Sequence, residues 1–239
     1  MALDTLGNLP QGAEKQRRVQ AMFDRIAGRY DALNRLFTLG LDQRWRALAL
    51  EAVAVGRGDR LVDVACGTGD LAQLASARGA RVVGVDFSRQ MLRGARTRRL
   101  PAALLRADAE RLPFPDAWAS VVTCGFALRN FVHLERALGE MARVLEPGGR
   151  LALVEVDRPR SASLRRFHSI YFDRVVPRLG GWLSDREAYA YLPRSTAYLP
   201  PPEELRLVLE RAGFVGSSRR SLLWGSAQLL IARRAGGRA

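Results

Sequence analysis

The chain has 239 residues, of which 48% are hydrophobic and 26% are charged, a composition typical of a globular protein with a buried core. No apolar run approaches the ~18 residues of a membrane-spanning helix, and residues 1–11 lack the basic start and apolar stretch of a signal peptide. The composition therefore excludes an integral membrane protein and predicts a cytoplasmic one, with a net charge of +14 that concentrates in residues 158–239.

The first predicted elements are helical. Apolar side chains recur at three- and four-residue spacing within residues 14–55, which is the period of an amphipathic helix. They are Val19, Met22, Phe23, Ile26 and Tyr30. We expect residues 1–55 to form an N-terminal helical cap that belongs to the same domain as residues 56–239.

From residue 60 onwards, short apolar runs alternate with helical segments, the pattern of a parallel sheet covered by helices on both faces. The predicted strands cover 60–65, 80–85, 103–107, 119–123 and 150–156, followed by two closing strands at 214–221 and 226–233 that we expect to form an antiparallel edge. The predicted helices lie near 69–77, 88–98, 132–145 and 203–212. Pro147-Gly148-Gly149 is interpreted as a turn between a helix and the fifth strand. The fold class is thus α/β, with a mostly parallel seven-stranded sheet.

A glycine-rich segment joins the first predicted strand to the first following helix. Gly67, Thr68 and Gly69 let the backbone approach a ligand closely, and the helix that begins there favours an anionic group. A tight turn without a ligand explains so short a motif equally well. Asp86 ends the second strand, where an acid can accept both hydroxyls of a ribose, and Gly67-x-Gly69-x-x-Ala72 also fits a dinucleotide-binding fingerprint. These motifs alone are therefore equally compatible with an NAD-dependent dehydrogenase.

Two further acids favour a different cofactor. Asp63 precedes the glycine segment and can brace the turn, and Asp108 follows the third strand, where it can bind the exocyclic amine of adenine. Acids after strands one, two and three resemble the class I (Rossmann-like) methyltransferase pattern, which implies S-adenosylmethionine as cofactor. The same resemblance places further residues in the cofactor site: Ala65, Phe87, Ala109 and Gly125.

Four segments make the resemblance narrower. They are Asp63-Val64-Ala65-Cys66-Gly67-Thr68-Gly69-Asp70, Gly125-Phe126-Ala127-Leu128-Arg129-Asn130, the run from Arg143 to Gly149, and an N-terminal run from Met22 to Asn34 with Leu39-Gly40-Leu41-Asp42 and Trp45-Arg46 after it. Together they resemble the ubiquinone/menaquinone biosynthesis C-methyltransferases over about residues 19–214. The family implies methylation of a ring carbon of a polyprenylated quinol, with demethylmenaquinol as first choice and a ubiquinone-pathway benzoquinol as the alternative. Two departures concern substrate detail: Arg194 replaces a common acid before Ser195, and the late strands lack a histidine that the family often carries.

Ring methylation requires a phenolate-like nucleophile, so the site must stabilise an oxyanion and accept a proton. Arg129 and Asn130 follow the fourth strand at the edge where α/β sheets bind ligands, and we expect Arg129 to lower the quinol pKa and Asn130 to orient an oxygen. Asp70 is a candidate for accepting the proton or orienting Arg129, although a helix N-terminal role explains it equally well. Tyr30 is a candidate for closing over the ring, with a core aromatic as the alternative.

Partners follow from charge and substrate. The segment from Arg158 to Arg186 interleaves arginines with aromatic residues, which predicts transient docking to anionic membrane at the inner face of the cell membrane, with a core-packed helix as the alternative. Nucleic acid is disfavoured because the sequence contains no element for a flipped base, and a non-catalytic regulator is disfavoured because Asp86 and Asp108 are present. No metal site is predicted, since the cysteines and histidines lack ligand spacing. The oligomeric state stays open, a homodimer included.

Overall fold

A computed structural model describes residues 10–157, 191 and 194–236 of the chain. The predicted N-terminal helical cap consists of three helices: α1 (Gly12–Ile26), α2 (Tyr30–Thr38) and α3 (Leu41–Ala52). Leu39 caps the end of helix α2 and Gly40 precedes helix α3, and both residues have left-handed backbone, with φ +53° and +77°. The helical character predicted over 14–55 thus takes the form of three helices.

The central sheet has seven strands in the order β3-β2-β1-β4-β5-β7-β6. The strands are β1 (Arg60–Val64), β2 (Arg81–Asp86), β3 (Ala103–Arg106), β4 (Ala119–Gly125), β5 (Leu145–Val156), β6 (Phe214–Leu222) and β7 (Ala227–Arg234). The first five run parallel, and β7 pairs antiparallel with both β5 and β6. The predicted mostly parallel sheet with an antiparallel C-terminal edge is confirmed.

Four more described helices follow the strands: α4 (Asp70–Ala77), α5 (Arg89–Thr97), α6 (Leu134–Val144) and α7 (Pro202–Arg211). They match the predicted helices to within two residues at each end. One prediction is corrected at Pro147-Gly148-Gly149: helix α6 ends earlier, at Val144, and β5 already begins at Leu145. The glycine-containing turn is instead a bulge inside β5, because the register with β4 jumps between the pairs Ala119–Leu145 and Val121–Arg150.

The sheet is buried on both faces, as its apolar strands require. In β1, Val62 and Val64 pack with helices α6 and α7, whereas Leu61 packs with α3 and α4 on the other face. A third cluster joins the cap helices α1 and α2 to Met91 of α5. Because β1 to β5 run parallel, their carboxyl ends lie at one edge of the sheet, which we call the carboxyl edge. The cap helices pack beside this edge. Among the described residues, no helix is long and apolar enough to span a bilayer.

Candidate active site

The connection from β1 to α4 forms the floor of a cavity at the carboxyl edge. Gly67 has φ +57° and its backbone N–H donates a 2.8 Å hydrogen bond to Asp86 Oδ2, so the glycine loop and the end of β2 are tied together. Gly69 has φ +90°, and a Cβ there would collide with the Leu100 side chain. The local sequence therefore has glycine where the turn requires a left-handed backbone and close packing.

The two acids predicted to hold the nucleoside lie on this cavity. Asp86 Oδ1 accepts from the backbone N–H of Ser88 at 2.8 Å, and burial raises the pKa of Asp86 to about 6 against the stabilising backbone N–H donors. Asp108 Oδ1 accepts from the backbone N–H of Glu110 at 2.9 Å, while Oδ2 accepts from Gln16 Nε2 of helix α1 at 2.7 Å. Both carboxylates are thus oriented by backbone donors and keep lone pairs for a ligand.

The cavity comprises about 760 Å³ of space, part of which is open to solvent. Apolar walls from Val85 and Met91 and the acids at the ends of β2 and β3 match an adenosine with a flat ring and a hydroxyl-bearing sugar. The residues present therefore fit the S-adenosylmethionine that the sequence implies. The predicted site residues that line this cavity are Tyr30, Ala65, Gly67, Asp86, Phe87, Asp108, Ala109, Gly125 and Asn130.

Three residues predicted to bind the cofactor do not line the cavity but support the segments that do. They are Asp63, Thr68 and Gly69. Asp63 is buried in β1, where its Oδ1 accepts from Thr123 Oγ1 at 2.8 Å, and burial raises its pKa to about 7 despite that hydrogen bond. Thr68 donates its hydroxyl to Asp31 of α2 at 2.5 Å. Gly69 is the N-terminal cap of helix α4.

A charged network holds the glycine loop against the cap helices. Arg98 donates to the Thr68 carbonyl oxygen at 3.1 Å and to Asp70 Oδ1 at 2.8 Å. Asp70 also accepts from Arg35 Nη2 at 3.1 Å and from Gln43 Nε2 at 2.8 Å. Burial disfavours its charge, but the charges of Arg46 and Arg98 and the donated hydrogen bonds outweigh that effect and lower the pKa of Asp70. The structure thus places Asp70 as an anchor between helices α2, α3 and α4, away from the cavity lining.

Arg129 is also buried behind the cavity. It lies in a short 3₁₀ turn (Leu128–Asn130) after β4, and its Nη1 donates to Glu155 Oε1 of β5 at 2.5 Å and to the Phe126 carbonyl at 2.8 Å. Its Nε donates to Ser195 Oγ at 3.1 Å. Burial opposes the charge of the guanidinium, yet Glu155 raises the pKa of Arg129 above its ordinary value. The ion pair therefore fixes the turn that presents the next residue.

Asn130 and Tyr30 both line the cavity. The Tyr191 hydroxyl donates to Asn130 Oδ1 at 3.2 Å, which leaves the amide NH₂ of Asn130 as a donor. Tyr30 packs edge-on against Phe23, with ring centroids 5.9 Å apart. Burial raises the pKa of Tyr30, opposed by nearby Arg46 and a hydrogen bond with Asn34, so its phenol stays protonated at neutral pH. Both residues therefore keep a hydrogen-bond donor.

Helix α1 closes the cavity with contacts that the sequence did not reveal. Lys15 donates to the Phe131 carbonyl at 2.6 Å and lies 3.7 Å above the centre of the Tyr198 ring. Burial lowers the pKa of Lys15 to about 8, against the charge of Glu110. Asp24 accepts from Ser88 Oγ at 2.6 Å at the start of α5. A signal for Lys15 was present, since every other basic residue of the chain is arginine.

Glu155 and Ser195 were also missed. Glu155 lies in an apolar strand, and only the pairing of β5 with β4 brings it to Arg129. The arginine-rich segment from Arg158 to Arg186, predicted to contact membrane, lies outside the described residues. Among those that are described, no three His, Cys, Asp or Glu side chains form a metal-binding group.

Similar folds occur among solved methyltransferases. A Thermotoga maritima S-adenosylmethionine-dependent methyltransferase matches with a TM-score of 0.64 at 22% identity, covering 90% of this chain and 99% of the other. A Haemonchus contortus phosphoethanolamine N-methyltransferase in complex with S-adenosyl-L-methionine matches at TM-score 0.60 and 16% identity, over 80% of this chain and 52% of that one. These likenesses concern the fold alone.

Sequence relatives are much closer. A demethylmenaquinone methyltransferase of Thermus thermophilus is 46% identical over 200 residues, covering 81% of this chain and 91% of the relative. One from Deinococcus radiodurans is 41% identical, over 95% and 98%. A ubiquinone/menaquinone biosynthesis C-methyltransferase UbiE of Geobacter sulfurreducens is 40% identical, over 90% and 88%. The model of the ubiE/COQ5 methyltransferase family matches residues 11–233. With that match and these relatives, the chain belongs to the ubiE/COQ5 methyltransferase family.

Proposed function

We propose that this chain transfers a methyl group from S-adenosylmethionine to a ring carbon of a polyprenylated quinol, with demethylmenaquinol as the substrate. One observation carries the proposal: Asn130 and Tyr30 line the same cavity as Asp86 and Asp108. Donors for a substrate oxygen and acceptors for a nucleoside therefore share one space. The relatives named demethylmenaquinone methyltransferase support the naphthoquinol ring, and those named UbiE keep the benzoquinol as the second candidate.

The chain holds the cofactor by its acids and its glycine loop. Asp86, which is oriented by the Gly67 N–H, would hold the ribose hydroxyls, and Asp108, which accepts from Gln16, would hold the adenine amine. The open backbone at Gly67 and the apolar wall of Val85 accommodate the rest of the nucleoside. When bound, S-adenosylmethionine supplies an electrophilic methyl group on sulfur.

The substrate side of the cavity stabilises the negative charge that develops on the quinol oxygen. The amide NH₂ of Asn130 and the hydroxyl of Tyr30 donate hydrogen bonds to that oxygen, and this lowers the free energy of the phenolate form. The ring carbon next to the oxygen gains electron density and forms the new carbon–carbon bond while the bond between the methyl group and sulfur breaks and leaves its electron pair on sulfur. The ring carbon then loses its own proton to solvent, which restores the aromatic ring. Preorganised donors act here by holding the ring in line with the methyl group.

We propose that Arg129 works as a positioning residue with its partner Glu155. Its guanidinium is buried and paired with a carboxylate at 2.5 Å, so it does not line the cavity, although its charge favours ionisation of the nearby Tyr30 phenol. Its hydrogen bonds instead hold the Leu128–Asn130 turn against β5 and Ser195. This orientation of Asn130 adds to the lowering of the quinol pKa that we expect from the charge of Arg129.

The prenyl tail of such a substrate lies in a bilayer, and the protein carries a net charge of +14. We therefore propose a cytoplasmic protein that contacts the inner face of the cell membrane peripherally, through electrostatic attraction to anionic lipid. The proposal is independent of which ring is methylated.

The decisive experiment offers the protein isotopically methyl-labelled S-adenosylmethionine with three separate substrates: reduced demethylmenaquinol, a ubiquinone-precursor benzoquinol and tRNA. Mass spectrometry then reads the label on each. We expect label on the naphthoquinol ring carbon, and reduced label with Asn130→Ala. Label on the benzoquinol alone selects the second candidate, and label on tRNA alone refutes quinol methylation.

A further inference from the structure

Two exposed turns carry large apolar side chains on left-handed backbone. Leu39 follows helix α2 with φ +53° and is 83% exposed, and Trp224 lies between β6 and β7 with φ +51° and is 76% exposed. Leu223 beside it is exposed too, with φ +40°. Left-handed backbone disfavours side chains of this size, and glycine or asparagine ordinarily occupies it. Strained residues that also gain nothing from burial suggest a role outside the fold itself.

Both turns lie at the carboxyl edge of the sheet. Helix α3 begins beside Leu39 and ends at the opposite edge, where the carbonyls of Val53 and Ala54 accept from Arg150 at the start of the parallel run of β5. The turn of Trp224 follows the end of β5, since Ser226 accepts from the backbone N–H of Asp157 there. The two turns therefore share the edge at which the cavity opens.

The two turns also flank one packing face. Leu222, next to Leu223, belongs to the same buried cluster as Trp45 of helix α3. Helix α2 runs from Tyr30 at the cavity to Leu39, a length of about 14 Å at 1.5 Å per residue. We call Leu36, Leu39, Leu223 and Trp224 the apolar rim.

We propose that the apolar rim inserts into the headgroup region of an anionic lipid bilayer and sets the cavity mouth against the membrane, an inference that rests on the proposed function. Tryptophan and leucine are side chains that partition into this region. Exposed arginines accompany each turn, Arg44 after the first and Arg220 before the second, and the chain as a whole is strongly cationic.

A bilayer explains the rim better than a second copy of the chain. Four side chains on two separate turns cannot supply the ~800 Å² per partner of a specific protein interface. They suit shallow insertion, in which each apolar side chain adds its own transfer free energy and the arginines add attraction to lipid headgroups. A substrate tail held in the bilayer then enters the cavity from the side that the rim faces.

The test compares wild type with the double variant Leu39→Asn/Trp224→Asn in co-sedimentation with phosphatidylcholine vesicles that contain phosphatidylglycerol. The control is Leu207→Gln/Val215→Asn, which removes two exposed apolar side chains, 43% and 51% exposed, from helix α7 and from the opposite end of β6. We expect the rim variant to lose about tenfold or more in vesicle affinity, and the control to bind like wild type. The melting temperature of the rim variant should not fall, because asparagine tolerates the left-handed backbone.

Two outcomes overturn the proposal on the membrane side: equal vesicle binding by wild type and the rim variant, or no binding by wild type. Sedimentation equilibrium can give a third outcome that overturns the proposal: wild type forms a concentration-dependent dimer and the rim variant does not. The apolar rim would then be a protein interface. Turnover of a water-soluble quinol without a prenyl tail separates this proposal from the proposed function. We expect wild type and the rim variant to methylate it equally, whereas failure of both refutes the quinol reaction and leaves the vesicle result standing.

Discussion

Replacing Glu155 with glutamine should show how strongly the stability of the fold depends on the buried ion pair between Glu155 and Arg129. Glu155 is fully buried, and its carboxylate accepts from Arg129 at 2.5 Å and from the backbone N–H of Val156 at 2.8 Å. Glu155→Gln leaves the Arg129 guanidinium charged and without its counterion in the interior. Removing one partner of such a pair costs about 3–5 kcal/mol, so we expect a loss of that size in the free energy of unfolding, measured by urea titration.

The control is an exposed pair of the same residue types. Arg206 and Glu210 lie one turn apart on helix α7, with side chains 49% and 45% exposed, and Glu210→Gln should cost less than ~0.5 kcal/mol. The double variant Arg129→Met/Glu155→Leu removes both charges and should recover most of the stability. Turnover should stay low in it, because Asn130 is no longer held in place.

The outcome that refutes this reasoning is specific. If Glu155→Gln lowers the free energy of unfolding by less than ~1 kcal/mol, the ion pair is not desolvated, and Arg129 does not depend on Glu155 as its counterion. If the double variant turns over like wild type while cofactor affinity is unchanged, Arg129 does not position Asn130. Arg129→Ala alone is expected to abolish turnover with cofactor affinity nearly retained, as calorimetry with S-adenosylmethionine would show.

Three further predictions concern the cofactor side. Burial raises the pKa of Asp86 to about 6, and the ribose requires the ionised carboxylate. Cofactor affinity should therefore be constant above pH 7 and fall about tenfold per pH unit below the pKa. Titration calorimetry of Asp86→Asn should show weak cofactor binding without this pH dependence. Asp31→Ala removes the hydrogen bond to Thr68 and should weaken cofactor binding about tenfold, whereas a dissociation constant equal to wild type would show that the loop holds its shape without helix α2. Burial lowers the pKa of Lys15 to about 8, so the unfolded chain binds more protons than the folded chain above that pH. The free energy of unfolding should therefore rise between pH 8 and 10 relative to that of Lys15→Met. Parallel plots of unfolding free energy against pH for the two proteins would contradict the lowered pKa.

The sequence by itself determined the architecture and most of the residues that line the cavity. Apolar runs of strand length alternating with helical periods predict a parallel sheet, and such a sheet places the residue after each strand at one edge, as with Asp86 and Asp108. These inferences succeed because they need only local periodicity and the rule that parallel strands end together. Gly67 could be placed for the same reason, since its conformation depends on its own turn.

Only the tertiary structure decided which side chains face the cavity and which stand behind it. Arg129 and Asn130 are adjacent in sequence, yet the first is paired with Glu155 and the second lines the cavity. Asp70 follows the glycine loop directly, but arginines from two other segments hold it away from the lining. Contacts between residues far apart in the chain depend on the packing of whole helices, which local patterns do not encode. For that reason the reaction class of this protein could be predicted from its sequence, whereas the contacts that support the residues lining the cavity could not.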